Sequence, residues 1–159
     1  MTVAFSSKRR RAVATLGAVS VGLLALSACD KPTPVATVTV GSNSVHTQAS
    51  CYNDGKKLEV AKLQGCLQDK DLKTVKVDPD AMLHIGVDPD IADKGWTLLI
   101  DGQQKTESSK KTFWSATGGQ FFQQNQQTGA TPKTATISIV SGTGAKVTGL
   151  WSFKLQKDA

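Results

Sequence analysis

Arginine disappears from this chain after residue 11, histidine and glutamate each occur twice, and tyrosine occurs once. Each scarcity removes a class of activity. Without arginine, and with scattered lysines not interleaved with aromatics, there is no basic patch for nucleic acid. Paired-glutamate acid–base chemistry has only Glu59 and Glu107 to draw on. No Gly-x-Ser-x-Gly elbow occurs, and spacing marks out no Ser-His-Asp set. Ser141-Gly142-Thr143-Gly144 resembles a phosphate loop only in composition, because it joins strand to strand and opens no helix. A run long enough to span a membrane is missing as well. The one extended weakly apolar stretch covers residues 12–25, short of the about 20 residues that a spanning helix needs. What remains favours a non-catalytic protein with no cofactor.

The same stretch has another use. Residues 8–29 read KRRRAVATLGAVSVGLLALSAC: a positive cluster at Lys8, Arg9, Arg10 and Arg11, the apolar run, then Leu26-Ser27-Ala28-Cys29. That is the layout of a cleaved export signal over residues 1–28. Its end matches the lipobox of bacterial lipoproteins, which implies diacylglyceryl transfer to the Cys29 thiol and cleavage just before it. Membrane lipid is then a partner through acylated Cys29, and the location is the extracytoplasmic side of the cell membrane. Removing the signal discards four of the 19 basic residues and none of the 13 acidic ones, leaving 15 against 13, or +2. The basic pI belongs mostly to the discarded piece. Residues 29–34 form a lipidated tether whose Asp30-Lys31-Pro32-Thr33-Pro34 reaches no more than roughly 15 to 20 Å. Residues 35–159 are the length of one domain.

With Cys29 assigned to lipid, Cys51 and Cys66 remain, an even pair in an oxidising compartment. A disulfide between them closes a loop worth about 3 kcal/mol in the chain-entropy model. The competing reading is a metal or redox pair. Neither cysteine sits in a Cys-x-x-Cys motif, and no histidine follows at zinc-finger spacing.

Alternation with period two recurs along the chain, and helical periodicity hardly at all. In residues 145–156, Val147, Gly149, Trp151, Phe153 and Leu155 share one face and Lys146, Thr148, Ser152, Lys154 and Gln156 the other. Ala135, Ile137 and Ile139 alternate just upstream, with the turn at 141–144, so the two runs form a hairpin. Shorter rows are Ala36, Val38 and Val40; Val45, Thr47, Ala49 and Cys51; Val75 and Val77; Leu83, Ile85 and Val87; Trp96, Leu98 and Ile100; and a run anchored by Phe113 and Trp114. Seven or eight short strands with Gly, Asp and Pro turns predict an all-β, immunoglobulin-like antiparallel β-sandwich with one disulfide. Around Leu58, Ala61 and Leu63 a helical turn and a strand fit equally, and residues 118–133, with Phe121-Phe122 and five glutamines at 120, 123, 124, 126 and 127, read as a long loop or a strand ending in one.

Three constellations invite a chemical reading. Val77-Asp78-Pro79-Asp80 and Val87-Asp88-Pro89-Asp90 hold acids that calcium could use. They bracket the strand 82–87, which separates them by about 20 Å, and each reads better as a Pro-fixed turn. His46, His84 and Met82 raise the alternative of a copper carrier, but both histidines point away from the apolar rows and the cysteines are better used in a bridge; no metal site is assigned. The aromatics are the third. One of Phe113 and Trp114 must face outward, and Phe121-Phe122 poses the same problem, so Trp114, Phe121 and Phe122 are candidates for a partner surface unless a second sheet or the loop covers them.

Ile91-Ala92-Asp93-Lys94-Gly95-Trp96, the strand end Ile100-Asp101-Gly102-Gln103 and the closing Gly149-Leu150-Trp151-Ser152-Phe153, taken with Cys51 and the lipobox, resemble an uncharacterised family of small secreted actinobacterial lipoproteins. The resemblance implies an exported immunoglobulin-like domain and brings no catalytic residues. The expectation is a monomeric, membrane-tethered binding or accessory module facing an envelope protein or a cell-wall polymer, with an envelope enzyme as the competing class.

Overall fold

The computed structural model describes residues 32–124 and 129–158. The assigned signal peptide, Cys29, Asp30, Lys31 and the glutamines at 126 and 127 lie outside these residues. The strands are β1 (Ala36–Val40), β2 (Asn43–Thr47), β3 (Cys51–Tyr52), β4 (Lys73–Val77), β5 (Met82–Val87), β6 (Trp96–Ile100), β7 (Gln103–Gln104), β8 (Phe113–Thr117), β9 (Thr134–Thr143) and β10 (Lys146–Lys157). Two short helices join them, α1 (Val60–Leu67) and α2 (Pro89–Ala92).

The strands stack as two sheets. One has the order β2-β1-β5-β8; the other runs β3-β10-β9-β6-β7, with β4 also on β10. This is the expected immunoglobulin-like sandwich, with one local exception to antiparallel pairing. β3 runs antiparallel to the start of β10, the loop carrying α1 turns the chain back, and β4 then lies parallel to the end of β10.

Alternation explains the interior. Ala36, Val38 and Val40 of β1 and Leu83, Ile85 and Val87 of β5 turn inward from one sheet. Trp96, Leu98, Ile137, Ile139, Trp151, Phe153 and Leu155 meet them from the other, in a single buried core. Each such aliphatic or aromatic side chain contributes about 1.5 to 3 kcal/mol of transfer free energy. Trp151 buries its ring completely and still satisfies its indole, which donates to the Pro34 carbonyl at 2.7 Å.

Cys51 and Cys66 are joined, with Cα atoms 6.0 Å apart, within the usual span of a disulfide. The bridge fastens α1 over a second, smaller cluster on the outer side of the larger sheet, where Leu58 and Leu150 are buried beside Leu63 and Val140. The undecided stretch is therefore helical. No residue of α1 is fully buried, so an eight-residue helix of this kind owes its place to the covalent tie rather than to propensity.

Three local expectations change. Cys51 does not continue the Val45 row, because the chain leaves β2 after Thr47 and crosses to the other sheet. The last hairpin turns at Gly144 and Ala145, since β9 continues to Thr143. A register shift between Val147 and Gly149 leaves Thr148 as an extra residue and throws Val147 out of phase with Trp151; Val147 packs with Leu150 in the smaller cluster instead.

The two Asp-Pro-Asp motifs are turns of different design. At the first, Asp78 Oδ1 accepts the Asp80 N–H at 2.9 Å and the Ala81 N–H reaches the Asp78 carbonyl at 3.1 Å. At the second, Pro89 opens α2, while Asp88 Oδ2 accepts the Val35 N–H at 2.7 Å and so clamps the beginning of the domain.

Candidate functional site

The aromatic surface expected at Trp114, Phe121 and Phe122 is not assembled. Phe121 and Phe122 are only 2% and 4% exposed and belong to the main core. The chain folds into a 3₁₀ turn over Gly118–Phe121, which drives both rings inward beneath the loop, where a strand would have pointed one of them out. Trp114 is half-buried against the core and meets Phe121 edge to face, at 6.2 Å between centroids. The outward ring is Phe113, 54% exposed and stacked on His84 at 5.4 Å.

The turn that buries Phe121 also shapes a cavity. Two elements build it. From one side the β6–β7 hairpin supplies Ile100, Asp101, Gln103, Gln104 and Lys105; from the other the 3₁₀ turn and the following chain supply Gln120, Phe121, Gln123 and Pro132. Its volume is about 270 Å³, room for one sugar-sized or amino-acid-sized group. Asp101 and Gly102 both take positive φ, 47° and 79°, which is what a two-residue hairpin between right-twisted strands requires. Asp101 is held twice to Thr136: its N–H donates to the Thr136 carbonyl at 2.8 Å, and its Oδ1 accepts the Thr136 N–H at 2.7 Å. The hairpin wall is thus rigidly set.

The lining has a definite chemistry. Ile100, Phe121 and Pro132 give apolar surface, and four glutamines give amides, each both donor and acceptor. Gln104 is already engaged, donating through Nε2 to the Thr106 carbonyl at 3.0 Å. Among the described residues the side chains of Gln103, Gln120 and Gln123 have no hydrogen-bond partner in the protein. One carboxylate and one ammonium, Asp101 and Lys105, leave the lining near neutrality.

Register places this cavity far from the start of the domain. Val87 pairs with Ala36, and the Asp88 N–H donates to the Val35 carbonyl, so the C-terminal end of β5 sits where the chain enters the fold. At the other end of β5, the Gly118 and Gly119 N–H groups donate to the Ala81 and Pro79 carbonyls at 2.8 and 2.7 Å, which seats the 3₁₀ turn there. The length of β5 separates the two poles by about 20 Å.

Other candidates stay apart. His46 and His84 lie on the outer face of the smaller sheet with β1 between them. The cysteines are bonded to each other under α1, so the copper set of two His, Cys and Met is not brought together. Among the described residues no three His, Cys, Asp or Glu side chains group as a metal site. The glutamines at 120 and 123 are visible in the sequence as part of an amide-rich stretch, whereas Gln103 stands there only in the strand-end motif and Gln104 is unmarked; the Asp-Gly hairpin signal just before them is the hint that they are held at an edge. The motifs around Gly95 and Trp96 prove structural: Gly95 has φ 78° and its carbonyl accepts the Gly142 N–H at 2.8 Å, while the Trp96 indole donates to the Lys111 carbonyl at 2.8 Å. No family model, curated protein or solved structure matches the chain.

Proposed function

We propose that this protein is a lipid-anchored, non-catalytic binding module on the outer side of the cell membrane, and that the glutamine-lined cavity is where it meets a neutral, hydroxyl-rich unit of a cell-wall polymer. The observation that carries the reading is polarity. The chain enters the sandwich at one pole, pinned through Val35 N–H, the Pro34 carbonyl and Thr33 Oγ1, which accepts the Ala49 N–H at 3.1 Å. The cavity opens at the other pole. Only Asp30 and Lys31 separate Cys29 from Pro32, so an acyl chain on Cys29 keeps the first pole close to the bilayer and turns the amides outward.

The chemistry of the lining selects the ligand class. A pyranose offers hydroxyls to the amides and a flat C–H face to half-buried Ile100 and Pro132, with the buried Phe121 ring closing the floor. A strongly charged ligand finds only one opposing charge of either sign. Two measurements check this. Cys29→Ser in the intact cell is expected to leave unprocessed precursor or release the protein from membranes; normal maturation and retention reject the anchor. Titration of the protein with soluble N-acetylglucosamine, galactose and arabinose oligomers, followed by side-chain amide NMR, is expected to shift Gln103, Gln120 and Gln123. The pair Gln103→Ala and Gln120→Ala should weaken that binding by roughly tenfold or more, about 1 kcal/mol for each lost hydrogen bond, with unaltered melting. Saturating shifts elsewhere, or none, reject the cavity.

A further inference from the structure

We propose that β8 is a self-association edge, through which two copies of this chain pair antiparallel to make one continuous sheet. This goes beyond the binding function and stands independently of it. Among the described residues β8 pairs only with β5 and ends the smaller sheet. Over Phe-Trp-Ser-Ala-Thr it carries no charge, no proline and no bulge, the devices by which sheet edges are normally kept single. The opposite edge of the same sheet is guarded: Lys73 reaches across from β4 and donates through Nζ to the His46 carbonyl at 2.8 Å.

Backbone parity defines the register. The Val87 N–H donates to the Thr112 carbonyl and the Gly118 N–H to the Ala81 carbonyl, so residues 112, 114 and 116 turn their polar groups toward β5. Phe113, Ser115 and Thr117 then present theirs outward. A two-fold axis at Ser115 opposes Phe113 to Thr117 of the second copy and Ser115 to itself, with every outward group matched.

Side chains and charge favour the same pairing. Phe113 and Met82 are 54% and 45% exposed, two of the four large hydrophobics that the described residues expose. Both lie on the outer face, Met82 paired with Thr117. The two-fold axis carries Phe113 of one copy over Thr117 and Met82 of the other, and half-buried Trp114 beside Ala116, so that apolar surface left open by the edge is covered from both sides. It also brings exposed Lys111, two residues before β8, toward the turn at 78–81 of the second copy, since the Gly119 N–H fastens that turn to the end of β8. Asp78 and Asp80 stand there. The proposed two-fold dimer thus stands in place of the monomer expected from the sequence.

The test uses the full-length protein in its own membranes and after detergent extraction. Ser115→Cys places two cysteines about 5.5 Å apart at Cα across the axis. Copper-phenanthroline oxidation should yield a covalent dimer on a non-reducing gel, whereas Ser44→Cys on the guarded edge should stay monomeric. Ser115→Pro removes an N–H that β5 does not use and two intermolecular bonds by symmetry. Sedimentation should show dimer dissociation roughly tenfold to hundredfold easier, with the melting temperature unchanged at dilutions where both proteins are monomeric. Phe113→Lys, at an exposed position, should do the same without touching the backbone. A wild-type protein that sediments as a monomer across the concentration range, or crosslinking of Ser44→Cys as efficient as that of Ser115→Cys, overturns the proposal.

Discussion

Trp151→Ala is expected to destabilise the domain by about 3 to 5 kcal/mol, because it empties a wholly buried site between the two sheets. Thermal unfolding should move down by more than about 10 °C. Part of that loss is polar. The Trp151 indole is the donor that holds the Pro34 carbonyl, and without it the carbonyl must find another partner. Trp151→Phe keeps an aromatic ring in the core and removes the donor, so a smaller loss, about 1 to 2 kcal/mol, is expected. The functional consequence concerns geometry: the tie from Trp151 to Pro34 helps fix the pole at which the chain enters the sandwich. Amide exchange should therefore quicken at residues 33–36 in Trp151→Phe while the strands stay protected. If Trp151→Ala costs less than about 1 kcal/mol, the assigned core packing is incorrect.

The second large effect separates rings that look alike in the sequence. Phe121→Ala should cost about 3 to 5 kcal/mol, since its ring is in the core and supports Trp114 edge to face. Phe113→Ala should change stability by less than about 0.5 kcal/mol, because its ring is outside. Urea unfolding of the two variants side by side decides it, and equal effects would contradict the assigned burial. Phe121 also walls the glutamine cavity. Its removal should abolish the oligosaccharide-induced shifts even under conditions where the remaining fold persists, whereas Phe113→Ala should leave them intact.

The two variants also show where sequence reading reached its limit. A strand rule gives one in and one out at Phe113-Trp114, because β8 is regular there, but not which, and the ring left outside is Phe113 rather than the Trp114 expected at the surface. The same rule fails at Phe121-Phe122, where the chain has already entered a 3₁₀ turn and adjacent side chains no longer alternate. Val147 is a parallel case: period two holds along β10 until one extra residue reverses the phase. Lys73 and His46, far apart in the chain, meet only because β2 and β4 end up as facing edges of different sheets.

Local chemistry was sufficient for much of the molecule. Side-chain alternation, Asp-Gly and Gly turns, and an even pair of cysteines outside any metal-ligand spacing determine an all-β sandwich and its bridge, because each depends on residues close in sequence or on simple parity. Which glutamines converge, which phenylalanine is left outside and which edge lies open depend on how the sheets stack and on long-range register. Those were decided by packing of the whole core, where the free energy of burying Trp96, Trp151 and Phe121 together outweighs any local preference of the segments that carry them.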